Sequence, residues 1–123
     1  MAEWRREVEE YEANLYRVQE PTLLSSLLSL FLGTKSGEIE TKKYDDGGKQ
    51  IEIEVHGVNV PDGSAVSAVI DGVTVHEFRV DRGHARLFLS TAQGNTVPEV
   101  RNGSVAEIQF SGEVLLQGTF RPD

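Results

Sequence analysis

The stretch AVSAVIDGVTVHEFRV, residues 65–80, decides the fold class. In its first half, Val66, Ala68 and Ile70 occupy alternate positions, which is the period of a strand with one buried face. Asp71-Gly72 follows at once, and a second apolar series begins at Val73. An Asp-Gly pair between two such runs is the strongest short-range signal of a β-hairpin. The stretch therefore predicts two antiparallel strands joined by a two-residue turn.

The remainder of the C-terminal part repeats this pattern. Ile51, Ile53 and Val55 alternate with polar residues, and Ser111-Gly112 marks a second tight hairpin turn. Turn signals recur at short and regular intervals between such runs, which is typical of an antiparallel sandwich or barrel. We therefore expect a mainly β fold, a six- or seven-stranded antiparallel sandwich or small barrel.

The composition divides the chain at Gly33. All 12 glycines lie at or after this position, and most of the leucines precede it. Glycine is unfavourable inside a helix but suits tight turns between strands. We therefore expect a helical arm over residues 1–33 and a β domain over residues 50–123. Between them, residues 34–49 are expected to form a polar connector with an edge strand from Glu38 to Lys43.

Two helices are predicted in the arm. The first, from Trp4 to Glu20, is amphipathic, because apolar residues recur at alternating spacings of four and three. The second, from Leu23 to Leu32, has a broad apolar face. The apolar residues of the two helices are Trp4, Val8, Tyr11, Leu15 and Val18 in the first and Leu23, Leu24, Leu27, Leu28 and Phe31 in the second.

The apolar surface of this arm supports the leading functional hypothesis. The arm could pack on its own sheet, pair with the same arm of another subunit, or lie on a membrane surface, although its many glutamates disfavour anionic lipid. The hypothesis is a non-enzymatic binding or assembly module that self-associates through the arm, as a homo-oligomer and in the simplest case a dimer, or that binds another protein. The alternative is a small-ligand-binding protein or enzyme with a polar pocket between arm and sheet.

Composition excludes several classes of function. The absence of cysteine excludes disulfide scaffolds, thiolate zinc sites and cysteine catalysis. Twelve basic residues against 20 acidic ones give a net charge of −8, which argues against nucleic acid as a partner. The sequence contains no nucleophile elbow, phosphate-binding glycine loop or calcium loop. We therefore predict no catalytic residue, cofactor or metal site.

One polar patch is a weaker candidate for binding. Glu52, His56, His84 and Arg86 fall on outward positions of predicted strands. A metal site built from these histidines and a nearby glutamate requires their strands to be neighbours in the sheet, and solvated side chains are the simpler interpretation.

A cytoplasmic location is expected for the chain. The apolar stretch from Leu23 to Leu32 is too short to span a bilayer. It also follows an acidic segment rather than the basic one that begins a signal peptide.

Overall fold

The computed structural model describes residues 6–18 and 35–123, which form eight strands and one short 3₁₀ turn at Thr91–Gln93. The strands are β1 (Glu7–Arg17), β2 (Gly37–Tyr44), β3 (Lys49–Val55), β4 (Ala65–Ile70), β5 (Val73–Arg79), β6 (Ala85–Ser90), β7 (Val105–Phe110) and β8 (Glu113–Pro122). In this part of the chain, no helical segment has the length and apolar character that a membrane crossing requires.

The strands form one antiparallel sheet in the order β5-β4-β7-β8-β1-β2-β3-β6. The sheet curls until its two edge strands, β5 and β6, approach each other. These two strands are consecutive in the chain, and Asp81 and His84 form an isolated bridge at the turn between them. The result is a nearly closed, barrel-like sheet with a single interior. The predicted strand number of six or seven was therefore too low.

The interior is filled by alternate residues of the strands. Leu15, Ile39, Ile53, Ile108 and Phe120, from five different strands, are fully buried and belong to one apolar cluster. Their sequence neighbours point outward, because successive side chains of a strand face opposite sides of the sheet. The polar residues between the apolar ones therefore form the outer surface of the barrel.

The predicted two-helix arm is wrong, because the segment assigned to its first helix is strand β1. Glu7–Arg17 pairs along one side with β2 and along the other with β8. The spacing of four between Tyr11 and Leu15 suits a helix, but it is also an even number, so both residues share one face of a strand. Pairing with two strands supplies backbone hydrogen bonds that override the local pattern. The predicted second helix, Leu23 to Leu32, lies outside the described residues.

The segment expected to be a connector also lies within the sheet. Gly37–Tyr44 is strand β2, and it runs between β1 and β3 rather than along an edge. Its fit against β3 depends on Gly37, where a Cβ atom would lie 2.5 Å from the carbonyl oxygen of Glu54. The described N-terminal strands, β1 and β2, are therefore integrated into the sheet.

The hairpins β4–β5 and β7–β8 share the same construction. Asp71-Gly72 and Ser111-Gly112 both have two positive φ angles, as a type I′ turn requires. In each hairpin the strand pairing shifts register two residues before the turn. The shift lies between Ala68 and Val69 in one hairpin and between Ile108 and Gln109 in the other. The two hairpins lie side by side through β4 and β7 and form half of the barrel wall.

Candidate functional site

The outer surface of β1, β2 and β3 is strongly acidic. Each of the three strands contributes two glutamates to it, at alternate positions whose neighbours face the interior. We call this surface the acidic face, and its members are Glu10, Glu12, Glu38, Glu40, Glu52 and Glu54.

Several of these glutamates lie directly opposite one another across the strands. Glu12 is paired with Glu40, and Glu40 is paired with Glu52, so that one row of the sheet carries three carboxylates. In the next row Glu38 is paired with Glu54. Like charges that face each other on neighbouring strands destabilise a sheet. The row Glu12, Glu40 and Glu52 is therefore unfavourable for folding.

Three cations offset part of this charge. Lys35 Nζ lies 2.9 Å from Glu38, Lys42 Nζ lies 3.6 Å from Glu40, and Arg86 Nη2 lies 3.0 Å from Glu54 and 3.7 Å from Glu52. All of these pairs are at least partly exposed to solvent, where an ion pair contributes little to stability. Arg121 lies opposite Glu12 on β8 as a fourth cation, so the six glutamates leave only a small excess of negative charge.

Several carboxyl groups lie close together at one end of the face. Oxygen atoms of Glu10, Glu40 and Asp123 all lie within 4.8 Å of one another, an arrangement that could contact a cation. Hydrogen bonds from Glu10 to Glu40 and Glu7 raise the pKa of Glu10 to about 8, and partial burial and the charge of Glu7 add to the shift. Beside it, burial and then the charge of Asp123 raise the pKa of Glu12.

The raised pKa of Glu10 predicts a specific pH dependence of stability. An acid whose pKa rises on folding binds its proton more tightly in the folded state. The stabilising contribution of Glu10 is complete below pH 4.5, the ordinary pKa of the side chain. It is lost as the pH rises from there through about 8, the pKa in the folded state. Because Gln cannot ionise, Glu10→Gln should match the wild type near pH 5 and melt roughly 3 °C higher at pH 9.

Thermal melts of both proteins between pH 5 and pH 9 measure this difference. Glu113→Gln, which removes one charge at the exposed Ser111-Gly112 turn, is the matched control and should melt in parallel with the wild type. Parallel melting curves for Glu10→Gln and the wild type across the whole range would show that Glu10 does not hold the proton.

An open depression adjoins the acidic face where β1 meets β8. It has a volume of about 420 Å³, and its walls include Glu12, Asp123, Tyr16 and the cation Arg121. The Tyr16 side chain is 45% exposed. Carboxylates beside an accessible aromatic ring are the groups that bind ammonium and guanidinium ions. The two carboxylates and the ring are such groups, whereas Arg121 in the same wall opposes a second cation.

The structure brings together all four residues of the predicted polar patch. Strands β3 and β6 are neighbours, with Glu52 opposite Phe88 and Glu54 opposite Arg86. Next to the Glu54–Arg86 pair, the rings of His56 and His84 stack with their centroids 6.4 Å apart. The patch is thus continuous with the acidic face.

The residues predicted to form an interface through the arm have different locations. Leu15 is fully buried in the barrel and Tyr11 packs against the same core, whereas Val8 and Val18 are about half exposed. The remaining members lie outside the described residues; they are Trp4, Leu23, Leu24, Leu27, Leu28 and Phe31.

The sequence interpretation missed the contribution of β1 and β2 to the site. Glu10, Glu12 and Asn14 alternate with inward-facing residues, as do Glu38 and Glu40, and this period of two was the available signal. It was obscured in β1 by the helical spacing of the apolar residues.

The arrangement presents carboxylates and aromatic rings together on one outer surface. The glutamates line an outer surface open to water, and their negative charges adjoin exposed aromatic rings at Tyr16 and Phe88. Comparison with known proteins finds no family model that matches the chain and no curated protein similar to it. The case for a function therefore depends on this geometry.

Proposed function

We propose that the protein is a non-enzymatic binding module that recognises a lysine- or arginine-rich protein segment through the acidic face. The observation that carries the proposal is the row Glu12, Glu40 and Glu52, in which three carboxylates lie opposite one another on adjacent strands. Neutral residues at these positions would suit the sheet better, because like charges opposite each other are destabilising. A cationic partner converts this repulsion into attraction and raises the rate of association.

Exposed aromatic rings on the same surface support a partner made of protein. Tyr16 lies on β1, and Phe88 lies opposite Glu52 on β6. These two residues are 45% and 44% exposed, and an accessible aromatic ring attracts the cation of a lysine or arginine. From β1 to β6 there are three strand spacings, about 14 Å, which about four extended residues span. A short basic segment thus matches the width of the face.

The same charge disfavours a second copy of this chain as the occupant. Two acidic faces brought together would repel, because the cations Lys35, Lys42 and Arg86 offset only part of the charge of each face. Self-association through a helical arm is also not supported, since β1 is a strand and Leu15 is buried within its own barrel. We therefore place a basic protein partner ahead of a homo-oligomer.

Binding of defined peptides tests the proposal. Fluorescence anisotropy with labelled hexalysine and hexaarginine should show saturable binding that weakens as NaCl is raised from about 20 mM to about 150 mM. A hexaglutamate peptide should not bind. The triple variant Glu12→Gln, Glu40→Gln, Glu52→Gln should bind the basic peptides roughly tenfold more weakly, equivalent to about 1.4 kcal/mol.

A second triple variant distinguishes binding at the acidic face from attraction to the net charge of the whole protein. Glu77→Gln, Glu107→Gln and Glu113→Gln make the same change in charge on β5, β7 and β8. This control should retain nearly wild-type affinity. Equal weakening in both triple variants would attribute binding to net charge alone, and no saturable binding of either basic peptide would refute the proposed function.

A further inference from the structure

A histidine pair at the end of the acidic face has the features of a metal site. His56 directly follows β3 and His84 directly precedes β6, beside the paired residues Val55 and Ala85. Their rings are stacked, with centroids 6.4 Å apart and planes inclined by 30°. A metal site at this pair requires the strands that carry the two histidines to be neighbours, and β3 and β6 are neighbours in the sheet.

A hydrogen bond sets the tautomer of His56 in a form that can bind metal. Its Nε2 lies 3.1 Å from the carbonyl oxygen of Lys35. A carbonyl oxygen only accepts hydrogen bonds, so Nε2 carries the proton and Nδ1 keeps its lone pair. Histidines that bind metal commonly donate their second ring N–H to a backbone carbonyl in this way.

Glu54 supplies a third donor group next to both rings. It lines an open depression with His56 on one side and a second depression with His84 and Asp81 on the other. Its carboxylate is held by Arg86 at 3.0 Å, in an exposed ion pair that a bound cation can displace. Two imidazoles and one carboxylate with an open fourth position form a common zinc ligand set.

We propose that His56 and His84, with Glu54 as third ligand, bind a divalent transition-metal ion of the Zn²⁺, Ni²⁺ or Cu²⁺ class. Imidazole nitrogen suits these ions, whereas Mg²⁺ and Ca²⁺ prefer oxygen ligands. The ring centroids lie 6.4 Å apart, so the two rings must rotate toward each other and toward Glu54 before one ion can contact all three side chains. The proposal stands independently of peptide binding to the acidic face.

Isothermal titration of the full-length protein, with any affinity tag removed, tests the site. Zn²⁺ should bind with one equivalent per chain at micromolar concentration, and Mg²⁺ at the same concentration should not replace it. His84→Ala should weaken Zn²⁺ binding by roughly tenfold or more, and Glu54→Gln should weaken it less. Because His84 is exposed, the variant should melt at nearly the wild-type temperature in the absence of metal.

The third histidine provides a matched control. His76 is an exposed residue of β5, apart from the pair, and His76→Ala should leave Zn²⁺ affinity unchanged. The proposal is overturned if Zn²⁺ does not bind, or if His76→Ala and His84→Ala weaken it equally. It is also overturned if only Glu10→Gln, in the carboxyl cluster, abolishes binding.

Discussion

Gly118→Ala should prevent folding or lower the melting temperature by roughly 15 °C or more. Gly118 lies on β8 against β1, and a Cβ atom there would overlap the carbonyl oxygen of Asn14 and lie 2.9 Å from its carbonyl carbon. These are backbone atoms of a strand paired on both sides, so no side-chain rotation relieves the overlap. A thermal melt followed by circular dichroism measures the loss.

Gly112→Ala is the matched control for this substitution. Gly112 has a φ of +79°, and an added Cβ atom would have no neighbour within 4 Å. The cost there is only that of the left-handed backbone, about 1–2 kcal/mol. Gly118 does not have a positive φ, so glycine is needed there because the neighbouring backbone leaves no room for a side chain. If Gly118→Ala proves no more harmful than Gly112→Ala, then β1 does not lie against β8 as described.

Leu15→Ala should destabilise the protein by about 2–5 kcal/mol, the range for a leucine removed from a packed core. Leu15 is fully buried in the barrel, while Val8 and Val18 are 52% and 49% exposed. Val18→Ala should therefore cost less than about 1 kcal/mol. Urea unfolding of the three single variants at Leu15, Val8 and Val18 measures these differences directly.

The same variants distinguish a strand from a helical interface. In a coiled-coil seam, Leu15 and Val18 would face the same partner, and both substitutions would weaken assembly. In the barrel, only Leu15→Ala has a large effect, and that effect does not depend on protein concentration. Similar destabilisation by Leu15→Ala and Val18→Ala, varying with concentration, would contradict the assignment of β1.

Local signals were sufficient to predict much of the barrel. The Asp71-Gly72 and Ser111-Gly112 turns each join two neighbouring strands, and the alternation of Ile51, Ile53 and Val55 belongs to β3 alone. Strand β1 has no such local partner on one side, because β8 lies at the other end of the chain. The spacing of its apolar residues fits both a helix and a strand, and only the pairing with the distant β8 makes the segment a strand.

The candidate site could likewise be predicted only in part from local signals. The alternation of side chains along a strand predicted that Glu52, His56, His84 and Arg86 face outward, and the β3–β6 pairing brings them together. In the order β1-β2-β3-β6, which joins them to Glu12 and Glu40, the tight turn at residues 45–48 accounts for the pairing of β2 with β3. The pairings of β1 with β2 and of β3 with β6 join segments separated by longer stretches of chain, and no turn encodes them, so the acidic face could not be assembled from the sequence alone.

The most direct test of a basic-segment site on the acidic face is an NMR titration of the ¹⁵N-labelled protein with hexalysine. The account predicts that amide shifts change along β1, β2 and β3, with the largest changes near Glu12, Glu40 and Glu52. The amides of the β4–β5 and β7–β8 turns should remain unchanged. Changes concentrated at those turns, or helical chemical shifts for residues 7–17, would contradict it.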